Sequence, residues 1–445
     1  MSSNSTPRVV VVGAGFGGLN AARSLAGDRN VQVTIVDRKN HHTFQPLLYQ
    51  VATGGLSPGE IAAPVRSVFR GDNNVTSLLE EVTGFDLERR IAKTTEQDLA
   101  YDYLVVASGS THAYFGHDEW RPFAPGLKTI EDALEIRRRV LLSFELAERQ
   151  MLAEGTTEPL NFVVVGAGPT GVELAGTLAE ISRHVLAQEF RSIDPSRARI
   201  ILLEGGPRVL PAYPGDLSRS AEDQLHRLGV EVRTNAMVTQ VEAGVVHVGD
   251  TRIVAPVILW AAGVAASPLG RMLGVPCDRA GRVLVRPDLS IPGHPEVFVI
   301  GDLASLKDGH GKQLPGLAPV AIQEGKYVAK IIRRDLARQA REDFHYWDKG
   351  TLATIGRAAA VADFGRIHIS GFIAWLSWLF IHIFFLIGFR NRLLVFIQWA
   401  WSYATYERGA RLITGSNDLP GWIGMHPAAP PAEAKKEPIP VKRAG

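Results

Sequence analysis

Two stretches decide the fold of this chain: Arg8–Gly18 (RVVVVGAGFGG) and Asn161–Gly171 (NFVVVGAGPTG). Each is a valine-rich run that reads as a buried strand and leads into G-x-G-x-x-G: Gly13, Gly15 and Gly18 in the first, Gly166, Gly168 and Gly171 in the second. In this pattern the first glycine makes the tight turn and the second lets backbone amides approach a pyrophosphate. The third allows close packing of helix on strand, and the helix N-terminus faces the phosphates with its partial positive charge. A lone match is weak. Here both copies follow a strand and open a helix, which is the context the mechanism requires. The first unit continues through a helix to about Ala26 and a strand Val31–Val36, and the second through a helix to about Gln188 and a strand Arg199–Leu203. The expectation is an α/β protein with two Rossmann-like dinucleotide-binding domains.

Each second strand ends in an acid, Asp37 or Glu204. A carboxylate there accepts hydrogen bonds from ribose hydroxyls and repels a 2′-phosphate. Asp37 lies 24 residues after Gly13 and Glu204 lies 38 after Gly166, which implies an insertion near Phe190–Arg197 in the second unit. No base sits immediately beside Glu204, so NADH is favoured over NADPH, although Arg208 keeps the phosphorylated form open. The alternative for either acid is a turn or helix-cap residue.

Bulk composition sets outer bounds. With 445 residues, 46% hydrophobic and 21% charged, the chain is a packed protein of two or three domains. A net charge of +2 gives no reason to expect nucleic acid as a partner. The single cysteine, Cys277, forbids an intrachain disulfide, a multi-cysteine metal site and a redox-active cysteine pair. No metal is expected. Polar residues 1–7 lead directly into the first strand, so the catalytic bulk is expected in the cytoplasm.

Short strands are expected near Thr76–Glu81, Ile91–Thr94 and Tyr103–Ser108, and a charged helix from about Glu131 to Glu154. Val257–Ala261 and Val297–Ile300 read as buried strands, and Ala318 to about Ala340 as a long helix.

The run from Asp37 to Gly54 (DRKNHHTFQPLLYQVATG) resembles the signature of type II NADH dehydrogenases, single-chain NADH:quinone oxidoreductases that do not pump protons. So does Gly166–Gly176 (GAGPTGVELAG), and family-like stretches cover most of residues 8–415. The resemblance implies non-covalent FAD on the first unit and NADH as hydride donor on the second. It divides the chain into FAD-binding segments 1–125 and 281–350, an NADH-binding domain 126–280 and a helical membrane-anchoring region 351–415. Residues 416–445 read as a disordered tail.

Residue by residue, it implies FAD contacts from Gly13, Gly15, Phe16, Gly17 and Gly18, then from Asp37, Arg38, His42 and Gln45. Val82 would touch the adenine, and Asp302, in VFVIGD, the ribityl chain; Ser108, Gly109 and Ala321 complete the set. Gly166, Gly168, Gly171, Glu204 and Gly263 would hold NADH.

Three residues are expected to act in catalysis. Glu173, on the first turn after the second glycine loop, can aim a carboxyl at the nicotinamide; its plainer reading is an acid stabilising the helix dipole. Ala318–Glu324 (APVAIQE) is similar to the family's AQxAxQ quinone motif, with Pro319 replacing the first glutamine, so Gln323 is the remaining polar contact. Its alternative is a bond to backbone or water. His382 is the readily ionisable side chain deep within Ile367–Phe389, His368 lying at its very start, and would protonate quinone if its pKa stayed near neutral; otherwise it is satisfied by a carbonyl. Glu324, Lys349 and Arg357 rank below these.

Ile367–Phe389 runs 23 residues without Asp, Glu, Lys or Arg. By pattern it reads as a membrane-spanning helix. The resemblance instead implies a peripheral, monotopic protein on the cytoplasmic face of the cell membrane, drawing quinone from the lipid. A homodimer is left open. The competing reading is a soluble NADH-dependent flavoprotein reductase of a rubredoxin- or ferredoxin-like carrier, which gives the apolar C-terminal stretch no role.

Overall fold

A computed structural model describes residues 6–405 and 409–414. The first sheet is built around β1 (Arg8–Val12), whose four valines are buried from both faces. Parallel partners flank it: β2 (Gln32–Asp37) and β3 (Val75–Leu79) on one side, β4 (Tyr103–Val106) and β9 (His294–Val299) on the other. Near-continuous valine and isoleucine suits such strands, because helices and loops cover both faces.

The second sheet repeats the plan with β5 (Asn161–Val165) at its centre, β6 (Arg199–Leu203) and β7 (Val230–Arg233) on one side, and β8 (Val257–Trp260) on the other. Strand order is thus β3-β2-β1-β4 in one unit and β7-β6-β5-β8 in the other, all parallel. The glycine-loop helices are α1 (Phe16–Leu25) and α3 (Pro169–Glu180). Between the units runs α2 (Ile130–Glu154), capped by a reciprocal Thr129–Asp132 box and ended by Gly155 in the left-handed region.

The longer spacing to Glu204 has a local cause. Helix α3 stops at Glu180 and passes into a π turn (Ile181–Val185) and two short 3-10 turns (Leu186–Gln188, Pro195–Arg197) before β6. The regular α-helix therefore ends about two turns before the expected Gln188, while the π and first 3-10 turns carry the helical path to that residue. Helix α4 (Ala318–Leu336) packs across α1, where a Cβ on Gly325 would overlap the carbonyl of Gly17.

The C-terminal region is a three-stranded antiparallel sheet, β10 (Thr351–Gly356), β11 (Ala359–Asp363) and β12 (His368–Ser370), followed by helices α5 (Phe372–Phe385) and α6 (Phe389–Thr405). This corrects the spanning pattern. Ile367–Phe389 is broken by a strand, by Gly371 at φ +74° and by Leu386–Gly388. Arg390, Asn391 and Arg392 lie within the first turn of α6 rather than between helices. No helix among the described residues is long and apolar enough to cross a membrane. The helices are also no detachable tether, because Trp378, Leu379, Leu386 and Val395 are buried in the same core as Phe44, Leu47 and Tyr49. The expected tail, 416–445, lies outside the described residues.

Candidate active site

The two glycine turns are held alike. Gly13 and Gly166 have φ of +99° and +97°, a region open to glycine, and each donates its amide to the last carbonyl region of the neighbouring strand: Val36 at 2.8 Å and Leu203 at 2.7 Å. A Cβ on Gly13 would lie 2.5 Å from the Ala107 carbonyl, and one on Gly166 2.5 Å from Ala262 Cα. Gly18 and Gly171 are forced as well, since a Cβ there would overlap the carbonyls of Gly13 and Gly166. Gly15 and Gly168, by contrast, face open space within 4 Å. That is the side on which a pyrophosphate would approach the amides.

Both acids close their loops. Asp37 accepts from the amides of Ala14 and Lys39, each at 2.7 Å; Glu204 accepts from Ala167 and Gly206, again 2.7 Å each. Arg38 extends outward toward Glu81 at 3.8 Å. Arg208 donates to the Pro211 carbonyl at 2.8 Å.

Around the first turn, Ser108 Oγ and His42 Nε2 are buried without a partner, while His42 Nδ1 bonds the Ala14 carbonyl at 2.9 Å. Such orphaned groups are rare away from ligand sites. They fit a polar dinucleotide laid over Gly13–Gly18. The ring of Phe16 stands edge-on to His42 and to Phe44 at 5.0 and 5.8 Å. Gln45 donates to the Lys128 carbonyl at 3.4 Å, and Val82, at the start of a strand, is buried in one cluster with Val10, Val12 and Val36.

Asp302 follows Gly301, which sits at φ +71°. Its carboxylate accepts from Ser110 Oγ at 2.6 Å and lies 3.9 Å from Lys128 Nζ, which itself donates to Ser110 at 3.0 Å. Burial lowers the Lys128 pKa, and Asp302 opposes that shift. These two partners escape a sequence reading. One signal existed for Lys128: a cation just before the Thr129 cap is unfavourable for the helix dipole and implies placement for another purpose. Beside them Glu324 accepts from the Gly301 amide at 2.5 Å. Burial pushes its carboxyl up to about 8, against the pull of that amide and aided by Asp302. Ala321 is buried next to Gly17 and Gly301.

Glu173, on the first turn of α3, faces β10 through the Thr354 amide and is partly accessible. Desolvation by the surrounding protein raises its pKa well above the usual carboxylate range, with the Thr354 amide opposing. Its charge in turn helps raise the pKa of the buried Tyr213. Thr354 and Tyr213 come from distant segments and are invisible to local pattern.

Gln323 is committed to backbone: its amide donates to the Trp347 carbonyl and accepts from the Trp347 amide, both at 3.0 Å. His382 departs from its expected chemistry. Burial lowers its pKa to about 4, so the near-neutral value assumed from sequence does not hold. Its Nδ1 is 2.7 Å from the Trp378 carbonyl, which only accepts; the proton therefore sits on Nδ1 and leaves Nε2 an acceptor. The ring stacks on Trp378 at 4.3 Å and meets Phe44 edge-on at 6.2 Å, so an aromatic series leads from α5 to the first glycine loop. Among the described residues no hydrogen bond joins Glu173, Gln323 and His382. Of the lower-ranked residues, Lys349 lies over Trp347 and Arg357 over Tyr403. No cluster among the described residues could hold a metal ion.

Two dinucleotide folds with a single cysteine and a capping apolar domain define a pyridine-nucleotide oxidoreductase of the flavoprotein class. Residues 7–325 match the pyridine nucleotide-disulphide oxidoreductase family, and residues 348–404 match the NDH2 C-terminal domain. The chain is 47% identical to the type II NADH:quinone oxidoreductase Ndh of Mycobacterium tuberculosis, over 92% of this chain and 90% of that protein. It is 31% identical to the type II NADH:quinone oxidoreductase of Staphylococcus haemolyticus, over 78% and 87%. The structure of NDH2 from Plasmodium falciparum in complex with NADH shares the fold, with a TM-score of 0.82 at 21% identity, covering 92% of this chain and all of that one. The chain belongs to the type II NADH:quinone oxidoreductase family, FAD-dependent enzymes that oxidise NADH.

Proposed function

We infer that this chain couples NADH + H⁺ + quinone to NAD⁺ + quinol, with FAD on the first glycine loop and NADH on the second. The observation that carries this reading is the pair of equivalent turns, each with a second glycine open to a phosphate and an acid at the ribose position. The chemistry supplied by FAD, when bound, is two-electron: acceptance of a hydride and release of the same pair to quinone.

The chain's own groups position and protect. Amides around Gly166–Gly171 receive the NADH pyrophosphate, and Glu204 accepts from the adenosine ribose while repelling a 2′-phosphate. Burial favours the neutral form of Glu173, and a protonated carboxyl there can donate to the carboxamide oxygen of nicotinamide and accept from its NH₂ together. An ionised carboxylate could only accept. Asp302, steadied by Ser110 and Lys128, meets the ribityl hydroxyls. His382 offers a quinone an acceptor nitrogen and an apolar face. Gln323 reaches quinone only by releasing Trp347.

The exposed face of α5 and α6, with Ile373, Phe380, Phe384 and Phe389 from 64% to 81% exposed, is the membrane-docking surface, on the cytoplasmic side. Clustered exposed aromatic and aliphatic side chains of this kind mark protein or membrane interaction sites. The same face would serve a second copy; lipid is preferred because Arg390 and Arg392 border it and no acid occurs from Arg366 to Thr405. The carrier-reductase alternative is disfavoured by the match over 348–404.

Purified protein should be yellow and should bleach under NADH without oxygen, and added quinone should restore the colour. Restoration by a ferredoxin-like carrier and not by quinone would overturn the reading. Phe384→Ser with Phe389→Ser should release the protein from vesicles. Truncation at Ile367 would be a poor test, since it removes core residues.

A further inference from the structure

A strained, exposed aromatic stands beside the second glycine turn. Leaving the first unit, Ser110–His112 pairs antiparallel with Val264–Ala266, which ties the linker to the turn that ends β8. The next residues part company. Tyr114 is buried, donates its hydroxyl to the Ala124 carbonyl at 2.8 Å and stacks on Trp260 at 5.2 Å. Trp260 Nε1 in turn donates to the Ala113 carbonyl at 2.8 Å. With the backbone pinned there, Phe115 adopts φ +53° and leaves its ring 69% exposed. The ring lies on Gly263: a Cβ on that glycine would come within 2.6 Å of Phe115 Cζ.

A left-handed backbone is uncommon for a bulky residue, and an exposed phenyl ring forgoes its burial. Neither feature helps the chain fold. Residues held this way cluster at ligand clamps, and the observed outlier is the place to begin.

Strand order says which part of a ligand meets the ring. Glu204 directly follows β6, on one side of β5, whereas Gly263 follows β8 on the other. Ala262 lies directly beside Gly166, so Gly263 borders the same turn. A dinucleotide with its pyrophosphate on Gly166–Gly171 and its adenosine ribose on Glu204 must extend its other half toward β8. We propose that Phe115 is a substrate-contact residue that walls the nicotinamide-riboside half of NADH, packing its ring on that half and excluding water. This rests on the reading that NADH binds the second unit. It also gives Gly263 a reason: any side chain there would displace the ring.

The test uses holoenzyme and anaerobic stopped-flow reduction of the flavin by NADH, with ADP as a probe that carries the adenosine and both phosphates but no part of the nicotinamide riboside. Phe115→Ala should raise the NADH concentration for half-maximal reduction roughly tenfold, the scale of one lost aromatic contact. The ADP inhibition constant should stay within about twofold, and Phe115→Tyr should resemble wild type. Phe115→Gly should lose NADH affinity like the alanine variant yet melt no lower than wild type, since glycine relieves the backbone. An unchanged NADH dependence in Phe115→Ala, or an equal loss of ADP affinity, overturns the assignment. A wild-type protein that NADH does not bleach overturns both this and the underlying reading; bleaching with an unaffected Phe115→Ala overturns the Phe115 role alone.

Discussion

The two dinucleotide units match almost bond for bond, yet they differ in what covers them. In both, the first glycine donates across to the second strand, the third glycine abuts the first, and an acid accepts two loop amides at 2.7 Å. Around the first turn the chain closes in: α4 crosses α1 where Gly325 meets Gly17, Ile300 presses on Gly17, and Asp302 with Glu324 stands behind. Over the second, α3 is backed by β10 of the C-terminal sheet, where a Cβ on Gly176 would overlap the Ile355 carbonyl, and almost the whole helix is buried. One architecture is thus covered in two ways. The first turn is closed by the long helix of its own unit, and the second by the domain that also carries the exposed apolar face.

The largest effects should come from adding one methyl group to each unit. Gly18→Ala and Gly171→Ala drive a Cβ into equivalent backbone carbonyls, so neither can be relieved by a side-chain shift. Gly18→Ala should yield protein without flavin, read as a lost absorbance band near 450 nm. Gly171→Ala should keep its flavin and lose NADH turnover by about 100-fold or more, the scale of a misplaced substrate. If both variants lost flavin equally, the division into cofactor and substrate turns would fail.

Next come the acids. Glu204→Ala should reduce kcat/KM for NADH about 10- to 100-fold, the worth of charge-assisted hydrogen bonds. NADPH should suffer less, because the repelling charge goes too. Initial rates with both nucleotides decide it, and parallel losses would reduce Glu204 to a loop brace. Asp37→Ala should instead show itself in flavin content.

How legible this division was depends on the range of the interactions. Glycine turns, flanking valine strands and strand-end acids are local, so Gly13–Gly18, Asp37, Gly166–Gly171 and Glu204 could be read directly. The C-terminal helices could not. Hydropathy registers Ile367–Phe389 as one run, whereas Gly371 and Leu386–Gly388 break it and tertiary packing claims Trp378 and Leu386. Chemical state was equally hidden. His382 looks near-neutral in sequence because its pKa is set by burial and by a bond to Trp378. Gln323 reads as free because Trp347 is 24 residues away. Lys128 and Ser110 reach Asp302 across the whole of the second unit, 192 residues for Ser110, and leave only an oddly placed cation as a trace.

A smaller effect separates two carboxyls whose pKa burial raises, one in each unit. Glu173 follows the second turn by two residues, and its raised pKa should appear in rate. Glu173→Gln keeps a donor and an acceptor, so the rate of flavin reduction near pH 6–7 should fall less than about threefold, whereas Glu173→Ala should lose roughly tenfold or more. Any alkaline decline due to Glu173 ionising should vanish in the glutamine variant. A decline that persists unchanged would assign it to another group.

Glu324, behind the enclosed turn, should appear in stability instead. Its folded pKa of about 8 exceeds the ordinary 4.5, so the folded state binds the proton more tightly than the unfolded one. That contribution is fully present below about pH 4.5 and is lost as pH rises through about 8. Glutamine keeps an oxygen to accept from the Gly301 amide and never ionises. Glu324→Gln should therefore melt with wild type near pH 5 and a few degrees above it near pH 9, by about 2–4 °C per kcal/mol at most in a chain of this size. Melting curves across that range carry the test. Parallel curves from pH 5 to 9 would mean that Glu324 is solvated, and the first turn would be less enclosed than its packing implies.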